Sequence, residues 1–142
     1  MRIFLSGIIQ GSRQGKNIHT QDYRSVLKVT LRRYAPQADL VCPIDLHPNS
    51  VDYDEAQARE TFNDMVHLAT EADVVVAYLP EASMGTAVEI WEAHRCGVPV
   101  LTISPLVENW VIMLASKQVF ATIEDFETFL AAGGLQRLEQ GK

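Results

Sequence analysis

The stretch from Ala72 to Pro105 constrains the fold more than any other part of the chain. Val74 to Leu79 is an unbroken apolar run rich in β-branched residues, the pattern of a strand covered on both faces. Pro80 ends it. Ser83 can cap a helix start, with Gly85 and Thr86 in its first turn. The helix carries Ala87, Val88, Trp91 and Ala93 and stops at Gly97. Val98 to Ile103 is a second apolar strand. A strand, crossover helix and strand of this length form a right-handed βαβ unit. Ligands of open parallel sheets sit beyond the carboxyl ends of the strands, which puts Pro80 to Glu89 at a binding site. Glu89 then lies near the positive end of a helix.

The rest of the chain fits around that unit. Arg2 to Ser6 begins a strand, and Gly7-Ile8-Ile9-Gln10-Gly11-Ser12 turns out of it. Ser12 to Asn17 is a polar loop with Gly15. Thr20 is the expected cap of a first helix carrying Val26, Leu27, Thr30, Leu31 and Tyr34, which ends before Pro36. Asp39 to Cys42 reads as a short strand and Pro43 to Asp52 as a loop, where His47 is expected to be a polar surface group. Asp54 to Ala72 is a helix with Phe62, Met65, Val66, Ala69 and Ala72 as its apolar stripe. Asp73 opens the next strand at its amino end, the wrong edge for catalysis, and is read as structural. Asn109 to Leu114 is a short apolar segment suited to meeting a partner chain. Gln118 to Ala121 is the last strand. Thr122 with Asp125 signals a capped final helix through Ile123, Phe126, Phe129 and Leu130, stopping at Gly133-Gly134 ahead of a polar tail.

Five strands alternating with helices predict a three-layer α/β sandwich, flavodoxin- or Rossmann-like, with a parallel sheet ordered 2-1-3-4-5. The loops Gly7 to Ser12 and Pro80 to Gly85 would then flank one crevice. At 142 residues the chain is read as a single domain, 1–142. The net charge of −6 argues against a nucleic-acid polymer as partner, though a small phosphorylated ligand needs only one local positive pocket. No apolar run approaches the roughly 20 residues of a membrane span. The amino terminus reads as a strand without a cleavage signal. Cys42 and Cys96 lack metal-ligand spacing and are taken as reduced thiols of a cytoplasmic protein. No metal and no cofactor are expected. The first loop is neither a phosphate-binding P-loop nor a G-x-G-x-x-G fingerprint, but its glycines let backbone approach a ligand closely.

Gly85-Thr86-Ala87-Val88-Glu89, preceded by Ala72-Asp73-Val74-Val75-Val76-Ala77 and followed by Gly97-Val98-Pro99-Val100, resembles the nucleoside 2-deoxyribosyltransferase family. The resemblance implies cleavage of the N-glycosidic bond of a nucleoside or nucleotide. It implies that Glu89 attacks C1′ of the sugar, and that Gly7, Ile9, Gln10, Gly11, Ser83, Met84 and Gly85 surround the substrate. A carboxylate beneath C1′ stabilises the charge that develops there and can form a glycosyl-enzyme intermediate. Periodicity alone reads otherwise: Glu89 lies off the stripe of Met84, Val88 and Trp91 and would be a solvated helix residue.

Ser83 stands where transferases of that family carry an Asp, and so resembles the branch that hydrolyses 2′-deoxynucleoside 5′-monophosphates. A hydroxyl and free helix N–H groups tolerate a phosphate that a carboxylate would repel; Ser83 is equally a plain helix cap. Gln10 replaces the Arg usual in that branch, and Arg13 or Lys16 could supply the charge. The family's second carboxylate maps onto Met65, with Asp64 beside it as the candidate to assist the leaving base. Asp64 nevertheless falls opposite the apolar stripe. The resemblance also implies that a neighbouring subunit completes the site, through Asn109 or Ser116, in a homodimer or larger homo-oligomer. Two alternatives stand beside this reading: a non-catalytic nucleotide-binding module, and a phosphoribohydrolase of the cytokinin-activating type. The latter lacks its paired glycines here, since Glu81-Ala82-Ser83-Met84 occupies their place.

Overall fold

A computed structural model describes residues 1–140. Its five strands form one parallel sheet: β1 (Arg2–Gly7), β2 (Asp39–Val41), β3 (Val74–Tyr78), β4 (Val100–Ile103) and β5 (Gln118–Phe120). The spatial order is β2-β1-β3-β4-β5, so the expected topology holds and the order reverses between β1 and β3. Ser6 pairs with Ala77 and Gly7 with Tyr78 across that reversal. The helices are α1 (Asp22–Tyr34), α2 (Pro43–Leu46), α3 (Glu55–Thr70), α4 (Met84–Arg95), α5 (Trp110–Ala115), α6 (Ile123–Ala131) and α7 (Gly134–Gln140). No helix among the described residues is long and apolar enough to cross a membrane.

Strand alternation divides the interior in two. Ile3 and Leu5 of β1 join Val74, Val76 and Leu101 under Leu27 and Leu31 of α1 and Phe126 and Leu130 of α6. Phe4 joins Val75, Ala77 and Val100 under Met65 and Ala69 of α3, Ile90 and Ala93 of α4, and Ile112 of α5. Ser6, two residues after Phe4, shares its face and is therefore aimed at the α3–α4 layer. The caps expected at Ser83 and Thr122 are present, and Asp54 and Asn109 cap α3 and α5; Asp54 and Thr122 make full capping boxes with Gln57 and Asp125.

Four local expectations are corrected. Gln21, not Thr20, occupies the N-cap position of α1, and the Thr20 hydroxyl donates to Asp22 instead. The buried face of α1 is Tyr23, Arg24, Leu27, Thr30 and Leu31, while Val26 is exposed. Helical periodicity places Tyr23 and Arg24 on the Leu27–Leu31 face, and apolar content alone hid this because one of them is charged. Residues 43–52 are not plain loop: they hold α2 and a single 3-10 turn, Ser50–Asp52. The polar tail begins with α7, which buries Leu135 against the α1–α6 layer.

On α4 the two faces are exchanged relative to expectation. Thr86, Ile90 and Ala93 are buried, and small Thr86 and Ala93 let the helix lie close to the sheet. The bulky stripe is outward: Met84 is 84% exposed, with Val88 and Trp91 also exposed.

Candidate active site

The carboxyl edge of the sheet opens into a cavity of about 400 Å³, lined by the β1–α1 loop, residues 43–53, one face of α3 and the first turns of α4. Glu89 is in its wall. The side chain is half-buried, one turn beyond the start of α4 and beside the buried Ile90. Its Oε2 accepts a hydrogen bond from the Ser6 hydroxyl, which the alternation of β1 turns toward α4. Burial pushes the Glu89 carboxyl up from 4.5 to about 7, against the opposing pull of the Ser6 hydrogen bond and the Arg24 guanidinium. A carboxyl held there is divided between ionised acid and proton donor at neutral pH.

The β1–α1 loop is tied down on both sides. His19 Nε2 lies 2.7 Å from Glu81 Oε1, joining the first loop to the β3–α4 loop. Gly11 has φ +58°, and a Cβ there would come within 2.7 Å of Ile8 Cδ1, so the turn demands glycine. The Gln10 amide donates to the Gly15 carbonyl at 2.6 Å. Arg13 donates to the Ile18 carbonyl at 2.9 Å, and Lys16 pairs with Asp52. Both cations offered by the sequence for a phosphate are thus engaged elsewhere. Among the described residues that line the cavity, Glu89 is the sole carboxylate and there is no lysine or arginine.

The far wall carries His47, whose Nδ1 is 3.0 Å from the Tyr53 hydroxyl, together with Val51, Phe62 and Met65. Gly85 also lines the cavity. A Cβ on it would meet Phe62 only at 3.9 Å, so packing does not require glycine there. Gly85 sits in the first turn of α4, where the missing side chain leaves the cavity wall open.

No protein-family model and no curated protein matches the chain. Solved structures do. One is a 2-deoxyribosyltransferase from the psychrotolerant bacterium Bacillus psychrosaccharolyticus, 20% identical over 89% of this chain and 90% of that one, with a TM-score of 0.67. A second is a conserved protein from Enterococcus faecalis, 18% identical over 92% and 97%, with a TM-score of 0.62. A third is a CMP N-glycosidase from Clostridium botulinum, 16% identical over 93% and 99%, with a TM-score of 0.52. The chain has the fold of a 2-deoxyribosyltransferase. Within that fold the crevice between the first and third βα connections is the cavity just described.

The fold gathers most of the sequence-predicted residues there. Gly7, Ile9, Gln10, Gly11, Ser83, Met84, Gly85 and Glu89 all line the cavity. Asp64 does not: it is exposed on α3, and its neighbour Met65 takes the place in the wall. Asn109 caps α5 through its Oδ1 and borders a separate hollow beside Ser83 and Met84. Ser116 bonds Thr102 at 2.7 Å and sits with Gly97 to Pro99 at the amino edge, the opposite end from Glu89 of the same chain. His47 is not a surface group, because α2 and the 3-10 turn fold it over the cavity. Sequence reasoning missed Ser6 as the partner of Glu89; the period-2 face shared with Phe4 was the signal that could have found it. It also missed Arg24, whose charge hid its place on the Leu27–Leu31 face, and Tyr53, which local patterning does not distinguish from a surface residue.

Proposed function

We propose that this chain is an enzyme that cleaves the N-glycosidic bond of a nucleoside, with Glu89 as nucleophile. The observation that carries the reading is a half-buried carboxylate in a cavity at the sheet's switch point, held by the Ser6 hydroxyl. A Glu89 oxygen bonds C1′ as the C1′–N bond breaks and its electron pair leaves with the base. Water, or the nitrogen of a second base, then attacks C1′ and releases the carboxylate, giving hydrolysis or transfer with retention. The departing base needs a proton or a hydrogen bond. His47, oriented by Tyr53, is the cavity group placed to give one, and the exposed Asp64 is not.

The lining favours a neutral nucleoside over its 5′-monophosphate. A phosphate would enter a site whose lining has one carboxylate and no lysine or arginine. The known activities of the fold's relatives, a 2-deoxyribosyltransferase and a CMP N-glycosidase, support both halves of this chemistry. A second copy of the chain is expected on the outward stripe of α4 and α5, where Met84, Val88 and Trp91 stand beside Trp110, 77% exposed, and Leu114. Sedimentation as a monomer at micromolar concentration would remove that expectation.

The test is a panel of ribo- and deoxyribonucleosides and their 5′-monophosphates, followed by chromatography for free base. Release from nucleosides in preference to monophosphates is expected. Release from none of them, over hours at micromolar enzyme, refutes the enzymatic reading.

A further inference from the structure

Arg24 is buried, at 3% exposure, and its guanidinium hydrogen bonds go to uncharged groups. Burying an arginine is costly unless its donors are met and its charge serves something. The donors are met by two backbone carbonyls, the Gln21 side-chain oxygen and, at 3.6 Å, the Cys42 sulfur. Nη1 donates to the Leu5 carbonyl and Nη2 to the Gly7 carbonyl, each at 2.9 Å, while Nε donates to Gln21 Oε1 at 2.7 Å. The reason lies in the sheet. β2 is three residues long and its pairing with β1 ends at Phe4 opposite Val41. Beyond that point the carbonyls of Leu5 and Gly7 have no strand beside them, and the next residues of the chain, Cys42 and Pro43, give no ladder donor. The guanidinium fork fills the gap.

The residue between those two carbonyls is Ser6, whose hydroxyl holds Glu89. We propose that Arg24 is a positioning residue for Glu89: it fixes the backbone on either side of Ser6, and so the hydroxyl that holds the carboxylate. This rests on the reading of Glu89 as nucleophile for its catalytic meaning, but not for its physical content. The electrostatics agree, since the Arg24 guanidinium opposes the upward push of burial on Glu89. Tyr23, beside it on α1, is neutral, because burial pushes its hydroxyl well above the usual tyrosine range, and it donates to the Ile8 carbonyl at 2.9 Å. Tyr78 at the end of β3 stacks on Tyr23. The wall from α3 is apolar at Phe62 and Met65, and α5 carries no charged residue. Residues 43–53 add His47 and Tyr53 to the cavity. Arg24 is therefore the permanent cation of this neighbourhood.

The experiment compares Arg24→Gln and Arg24→Lys with the unaltered protein. It reads the Glu89 midpoint by carbon-detected NMR of labelled glutamate, assigned with Glu89→Gln, and the pH profile of kcat/KM on the best nucleoside. In Arg24→Gln the midpoint should rise by about one pH unit or more, and the ascending limb of the profile should move with it. At pH 6 that is a loss of roughly tenfold beyond any loss at pH 9. Arg24→Lys keeps a charge without the fork, so its midpoint should stay within about 0.3 pH units while its plateau rate falls several-fold. A folded Arg24→Gln with an unmoved midpoint overturns the proposal. If Arg24→Gln does not fold, wild-type plateau and midpoint in Arg24→Lys overturn it. The NMR midpoint needs no substrate, so absence of turnover would count against the enzymatic reading and leave the role of Arg24 to be decided by the titration.

Discussion

Glu89→Gln should make the protein more stable at alkaline pH, and the size of the gain follows from the site. The folded protein holds the Glu89 carboxyl at about 7, against 4.5 in the open chain, because burial disfavours its charge more than Ser6 and Arg24 favour it. The folded state therefore binds this proton more tightly than the unfolded state does. The stability linked to it is fully present below about pH 4.5 and is lost as pH rises through 7. At about 1.4 kcal/mol per pH unit, ionising Glu89 costs the fold about 3.5 kcal/mol by pH 8.5 and less than about 1 kcal/mol at pH 5. Glutamine is neutral at every pH and its carbonyl can still accept from the Ser6 hydroxyl. Urea unfolding of both proteins at pH 5 and pH 8.5 measures the difference without assuming any activity. The stability of Glu89→Gln relative to the unaltered protein should improve by about 2.5 kcal/mol between the two pH values, on the order of 5–10 °C in Tm. If the two proteins change in parallel across that range, Glu89 is not held in a disfavoured charge state and the electrostatic description of the site is wrong.

Further expectations concern the walls of the cavity. Asp64→Asn should change base release less than about twofold, since Asp64 is exposed and outside the lining; a loss of tenfold or more would return it to the site. His47→Gln should slow release by about 10²-fold for bases that leave poorly and much less for activated ones, measured as kcat across a leaving-group series. Gly85→Ala should leave thermal stability within about 0.5 kcal/mol, since residue 85 is in the first turn of α4, while raising KM, because the chain itself leaves that space open.

The layer order and the position of the site were legible because they follow from long-range regularities. β-branched runs at residues 74–79 and 98–103, a helix between them and glycines after the first strand suffice to set a 2-1-3-4-5 sheet and its switch point. Helix faces were less legible. The periodicity on α4 correctly grouped Met84, Val88 and Trp91, but periodicity says only that a helix has two faces. Which one meets the sheet depends on the size of the residues opposite, here Thr86 and Ala93. The same ambiguity hid Glu89, which belongs to the cavity rather than to solvent. On α1 the buried Arg24 broke the apolar pattern because its donors serve strand carbonyls 17 and 19 residues away in sequence, a pairing that no local window contains. His47 was misplaced for a related reason: α2 and the 3-10 turn at residues 43–52 are short, and their folding over the cavity is tertiary.

The most direct test of the account is to look for the sugar on Glu89. The protein is incubated with a nucleoside bearing a 2′-fluoro arabinose, whose fluorine slows attack on the glycosyl-enzyme, then quenched in acid and digested for peptide mass spectrometry. The account predicts one sugar-sized adduct on the peptide containing Glu89, absent from Glu89→Gln and removed by prolonged incubation in buffer. Base release from the unaltered protein with no adduct there, or undiminished release by Glu89→Gln, would contradict it.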